Sequence, residues 1–119
     1  EAILFASQTL QRGLSRIKKA GVEVVQSLLN TEIDLKLKKK EELAKSLVKT
    51  VQTYKDKLKH IVWREEEAIK SVRRLATGAD LDAFINDCLK EISTSRKQEL
   101  AKVEKVFSLI LTNYVYQRS

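Results

Sequence analysis

The chain has no proline and no methionine, and in 119 residues it has one cysteine, one histidine, one tryptophan and three glycines. Each scarcity excludes something. Without proline, and with glycine only at Gly13, Gly21 and Gly78, it lacks the turn residues that tight β folds need, while a 33% charged content rich in Lys and Glu suits long helices. Cys88 has no partner for an internal disulfide, which points to a reducing, intracellular setting, cytoplasmic or nuclear. Catalytic metals and acid/base pairs need convergent His, Cys or carboxylate groups, and His60 and Cys88 lie far apart in sequence. Three isolated glycines form no phosphate-cradling loop. The expectation is therefore a protein that is not an enzyme, with no cofactor, no metal and no small-molecule substrate. The longest apolar runs, such as Val106 to Leu111, fall well short of the ~20 residues of a membrane span, and no signal-peptide pattern is visible, so a soluble protein is expected. The absence of methionine even at position 1 suggests a trimmed segment.

What is present is hydrophobic periodicity. From Glu1 to about Leu29, Ile3, Leu10, Ile17 and Val24 recur seven apart, with Ser7, Leu14, Gly21 and Leu28 interleaved, which is a heptad seam. Gly21 weakens this helix locally but lets a neighbouring helix approach. A second series, Leu47, Val51, Tyr54, Leu58, Ile61, Glu65, Ala68, Val72 and Leu75, alternates steps of four and three and predicts one helix over 32–76, about 70 Å long at ~1.5 Å per residue. Val48, Val62, Ile69 and Ala76 widen its apolar face beyond a two-helix contact. Between these series the phase breaks across Lys36 to Glu42. A register change or a turn is needed, and Asn30 and Thr31, the latter with Asp34 in a capping-box-like arrangement, favour a chain reversal there over a continuous helix. A second reversal is placed at 77–80, where Gly78 suits a helix C-terminus and Asp80 a helix N-cap. The third helix, 80–117, begins on Leu81, Ile85, Cys88 and Ile92 and resumes on Leu100, Val103, Phe107, Ile110 and Tyr114. Steps of eleven (Leu81, Ile92, Val103, Tyr114) reconcile the two phases and oppose a uniform left-handed supercoil. The fold expected is a single all-α domain over 1–119: an extended coiled coil or an elongated three-helix bundle, with helices over about 2–29, 32–76 and 80–117.

The net charge of +7 is uneven: residues 31–77 carry thirteen positive and eight negative side chains, the rest being nearly balanced. Lys38, Lys39, Lys40, Lys45 and Lys49 are the candidates for contact with phosphates of an anionic membrane or a nucleic acid. The competing reading is a solvated helix face with pairs such as Glu41 with Lys45 and Glu66 with Lys70. Trp63 falls opposite Tyr54, Leu58 and Ile61, so a second contact surface is expected there, packed against the other helices of the fold or against a partner chain. His60 reads as a surface residue and Cys88, on the seam, as an inert buried thiol.

These features point to a structural interaction module that pairs through its seams with itself or with a related helical chain. The interface expected comprises Leu47, Val51, Tyr54, Leu58, Ile61, Trp63, Val72, Leu75, Leu100, Val103, Phe107 and Ile110. Alternatives are a membrane-surface module of the crescent-bundle kind and a chromosome-axis or nucleic-acid scaffold. For the last, Ser46-Leu47-Val48-Lys49-Thr50 followed by Lys57-Leu58-Lys59-His60-Ile61-Val62-Trp63-Arg64 resembles part of the coiled-coil region of meiotic chromosome-axis, lateral-element proteins. The resemblance needs a gap, covers under a fifth of the chain and lacks that family's Gln- and Met-rich continuation. It implies filament-forming helical assemblies on chromosomes.

Overall fold

A computed structural model of the chain describes residues 1–33 and 40–116. It is an elongated three-helix bundle, 61 × 16 × 15 Å, with α1 over Ala2–Ile33, α2 over Lys40–Lys70 and α3 over Ala79–Ile110. Its radius of gyration of 18.4 Å exceeds the roughly 13.5 Å of a compact domain of this length. No strand occurs among the described residues. α1 and α2 are antiparallel, since Arg12 meets Glu65 and Glu23 meets Lys57; α3 runs back along α2, since Arg73 meets Asp82 and Lys55 meets Glu104. α1 and α3 are thus parallel, and each helix packs on both others.

The junctions differ in detail from the expected ones. α1 continues through Asn30 and Thr31 to Ile33, and the Thr31 hydroxyl donates to the Ser27 carbonyl at 2.9 Å, back-bonding within the helix instead of capping a new one. Asp34 lies outside the described residues. α2 therefore begins at Lys40 and spans 31 residues, not the whole of 32–76. It ends in a 3₁₀ turn, Ser71–Arg74, where tighter winding rotates Leu75 off the seam to 78% exposure. Gly78, at φ 150° and ψ 148°, directly precedes α3 in a conformation L-residues avoid, and its carbonyl accepts the Asp82 N–H at 3.0 Å. Asp80 and Asp82 then sit inside the first turn, where negative charge opposes the exposed N–H groups favourably. α3 leads into a π-helical turn, Leu111–Tyr116; the Tyr114 side chain lies outside the described ones.

The core runs the length of the rod. α1 contributes Ala6, Leu10, Ile17, Ala20, Val24 and Leu28; α2 contributes Leu43, Leu47, Val51, Tyr54, Leu58, Val62 and Ile69; α3 contributes Leu81, Ile85, Cys88, Ile92, Val103 and Ile110. On α1 the expected seam is buried at Leu10, Ile17, Gly21, Val24 and Leu28, while Ser7 and Leu14 are half-buried and Ile3 is exposed; Ala6, Gly13 and Ala20 form a further buried column. At Gly13 the lack of a side chain lets Glu65 of α2 lie close against α1. On α2 the core shifts from Ile61 to Val62 and Ile69 beyond Leu58, because two neighbouring helices demand a face wider than one seam. On α3 the eleven-residue series Leu81, Ile92, Val103 is buried as expected, but between Ile92 and Val103 the inner positions belong to half-buried Ser95 and Glu99.

Candidate interaction surface

The expected interface is largely occupied by the chain itself. Leu47, Val51, Tyr54, Leu58, Val72, Val103 and Ile110 are buried in the bundle, and Ile61, Leu100 and Phe107 pack half-buried against it. Trp63 and Leu75 are the two exposed members of that set. Lys45 and Lys49 lie exposed on α2; Lys38 and Lys39 lie outside the described residues, as does the side chain of Lys40. Lys70 pairs with Glu67, at 3.8 Å, not with Glu66, and Lys45 has no carboxylate within 4.0 Å among the described residues.

Two polar layers cross the core. In the first, Glu65, 1% exposed, accepts from Arg12 Nη2 at 3.1 Å and Nε at 3.3 Å through one carboxylate oxygen, and from Arg16 Nη1 at 2.9 Å through the other. The arginines are four apart on one face of α1 and keep about half their surface in water, so the ion cluster is buried at its anionic end only. Gly13 makes the space: a Cβ there would lie 3.2 Å from Glu65 Cβ and Cγ. In the second layer, Gly21 faces Glu99, whose carboxylate also pairs with Lys102 at 3.3 Å. Across from it the Tyr54 hydroxyl is buried, with no hydrogen-bond partner among the described residues. Burial, with the nearby negative charge of Glu99, pushes the Tyr54 phenol up to about 12.

Around this core, inter-helix ion pairs flank α2 on both sides: Lys55 with Glu104 of α3 at 3.3 Å, and Lys57 with Glu23 of α1 at 3.0 Å. The Lys57 hydrogen bond and charge hold the Glu23 carboxyl below its usual range. Both pairs are solvated, so water and salt screen them and each adds little to stability. Cys88 is buried; burial, and then Glu91 and Asp87, raise its thiol above the ordinary value, so it stays protonated and unreactive.

Among the described residues nine large apolar side chains are exposed: Ile3, Leu4, Phe5, Val22, Leu29, Val48, Trp63, Leu75 and Leu109. Four of these, Ile3, Leu4, Phe5 and Leu75, belong to one end of the rod, where α1 begins and the turn after α2 packs against it. Trp63, 60% exposed, lies on the outer face of α2 and stacks on His60 with ring centroids 6.3 Å apart. No protein-family model matches the chain, and neither a curated protein nor a solved structure shows significant similarity to it. The local resemblance over 46–50 and 57–64 is not extended by any of these comparisons.

The Arg12–Glu65–Arg16 cluster and the apolar end escaped the sequence reading. The first had a signal: a glutamate inside an apolar heptad series, with two arginines four apart on another helix. The second had none, because Ile3 and Leu75 both fit a seam.

Proposed function

We propose that this chain is a non-catalytic helical interaction module that assembles with copies of itself or with a related helical chain. Its contact is made by outward-facing apolar side chains and not by the seams. The observation that carries this reading is the set Ile3, Leu4, Phe5 and Leu75, exposed together at one end of a rod whose seams are already filled. Exposed apolar groups gathered at one place favour association, because burying them removes apolar surface from water.

Multi-angle light scattering with small-angle X-ray scattering tests it. Expected are a mass above one chain and a longest dimension beyond 61 Å, both rising with concentration. A Leu4→Lys, Leu75→Lys double variant returns the monomer with unchanged helicity. A wild-type protein that remains a 61 Å monomer at every concentration refutes the proposal.

A further inference from the structure

The outer face of α2 carries a second heptad stripe. Lys45, Lys49, Gln52, Asp56, Lys59 and Trp63 follow one another at alternating steps of four and three, and all six are exposed. The stripe spans about 27 Å at ~1.5 Å per residue and lies opposite the buried series through Leu47, Tyr54 and Leu58. Lys45, Lys49 and Lys59 have no carboxylate within ion-pair distance among the described residues, whereas Lys55 and Lys57, beside the stripe, are engaged by Glu104 and Glu23. Asp56 accepts from Gln52 at 3.4 Å. Trp63 closes the row, one ring face held by His60.

We infer that this stripe docks an acidic amphipathic helix of a partner protein, with carboxylates set against Lys45, Lys49 and Lys59 and an aliphatic side chain against Trp63. Two features favour such an occupant. The order of charges, two cations, one anion, one cation, matches a patterned helix that can place a cation opposite Asp56, while a continuous polyanion would meet that carboxylate with phosphate. The stripe is also convex, on a bundle 15–16 Å across, so a flat bilayer would touch it along its crest alone. This contact uses a different surface from the apolar end and stands independently of self-assembly.

Trp63 is the only tryptophan, so its emission reports this face directly. The 119-residue chain, at a concentration where its mass is known, is titrated with four probes. These are a helix-forming peptide long enough to span Lys45 to Trp63, with glutamates and leucines at the complementary positions; a scrambled peptide of the same composition; a random-sequence DNA duplex; and phosphatidylcholine vesicles containing phosphatidylserine. Expected is a saturable blue shift with the patterned peptide, weaker binding of the scrambled one, and roughly tenfold weaker binding by a Lys45→Glu, Lys49→Glu variant of unchanged helicity. The proposal is overturned if the patterned peptide gives no saturable shift, if the scrambled peptide or the charge-reversed variant binds as well, or if the duplex or the vesicles bind more tightly. Loss of peptide binding with self-assembly intact removes this inference alone; a monomer that binds the peptide removes only the self-assembly reading.

Discussion

At the level of Gly13 the bundle buries a glutamate completely and surrounds it with two arginines. Eight residues further along α1, at Gly21, it leaves Glu99 half-buried beside a lysine of its own helix and strands a tyrosine hydroxyl. Both layers set a glycine of α1 against a glutamate of another helix. They differ in where the donors sit. Arg12 and Arg16 reach across from α1, so Glu65 can leave water without losing its hydrogen bonds; Glu99 pairs instead with Lys102, three residues on in its own helix and itself largely exposed. A buried charge is tolerated when fixed donors from a second element meet it.

The largest effect that would break this contrast is removal of both donors. Arg12→Ala with Arg16→Ala leaves Glu65 buried and unpaired and is expected to cost about 3 kcal/mol in urea unfolding followed by circular dichroism, at the lower end for a buried pair because both guanidinium groups reach solvent. Adding Glu65→Gln to that variant should restore much of the loss. An unchanged midpoint would mean that the arginines contribute nothing to the layer.

The two glycines sharpen the comparison by opposite signs. At Gly13 an alanine Cβ would press at 3.2 Å on the inner, pinned part of Glu65, so Gly13→Ala is expected to destabilise by about 1 kcal/mol after the gain in helix propensity. At Gly21 the added Cβ would meet the far end of Glu99, at 2.8 Å from its Oε2, and that end can swing outward. Gly21→Ala is expected to be neutral or to stabilise by up to about 1 kcal/mol. Thermal unfolding of the two variants decides; shifts of the same sign would end the distinction.

The smallest effect concerns Tyr54. Tyr54→Phe removes a hydroxyl with no partner among the described residues and should leave stability at neutral pH within about 1 kcal/mol of the wild type, or higher. The pH dependence is the sharper readout. Because the folded phenol is raised from 10.0 to about 12, the unfolded chain releases this proton first. The stability held by the neutral phenol is complete below the ordinary tyrosine value and is lost as pH rises toward about 12. Urea midpoints across that range should fall more steeply for the wild type than for Tyr54→Phe, and parallel curves would place the hydroxyl in water.

How far the sequence was legible follows from particular positions. Leu47, Val51, Tyr54 and Leu58 repeat with one period and are all buried, and the step of eleven from Leu81 to Ile92 to Val103 holds through α3. Beyond Leu58 the reading by one seam fails at Ile61, because a helix flanked by two others buries a wider face and Val62 is the deeper of the two. At the start of α1, Ile3 outranks Ala6 by hydrophobicity, yet Ala6 is inside. Proximity between helices selects for small size there, and a single chain read in one dimension shows no neighbour to impose that choice. Asn30 and Thr31 misled for a related reason: a good capping residue is also a tolerable helical one when its hydroxyl can bond back to Ser27.

The seam thought available for a partner was legible as a seam but not as to whose helices fill it. Apolar period, the lack of proline and the charge content by themselves determined that the chain makes long helices packed on apolar faces, since those are local and periodic properties. Only the tertiary structure decided that α1, α2 and α3 satisfy one another's seams. It likewise decided that Glu65 is clamped where Glu99 is not, and that Trp63 and the end bearing Leu75 are left facing outward. Those outcomes depend on distances between residues remote in sequence, which periodicity within one helix does not encode.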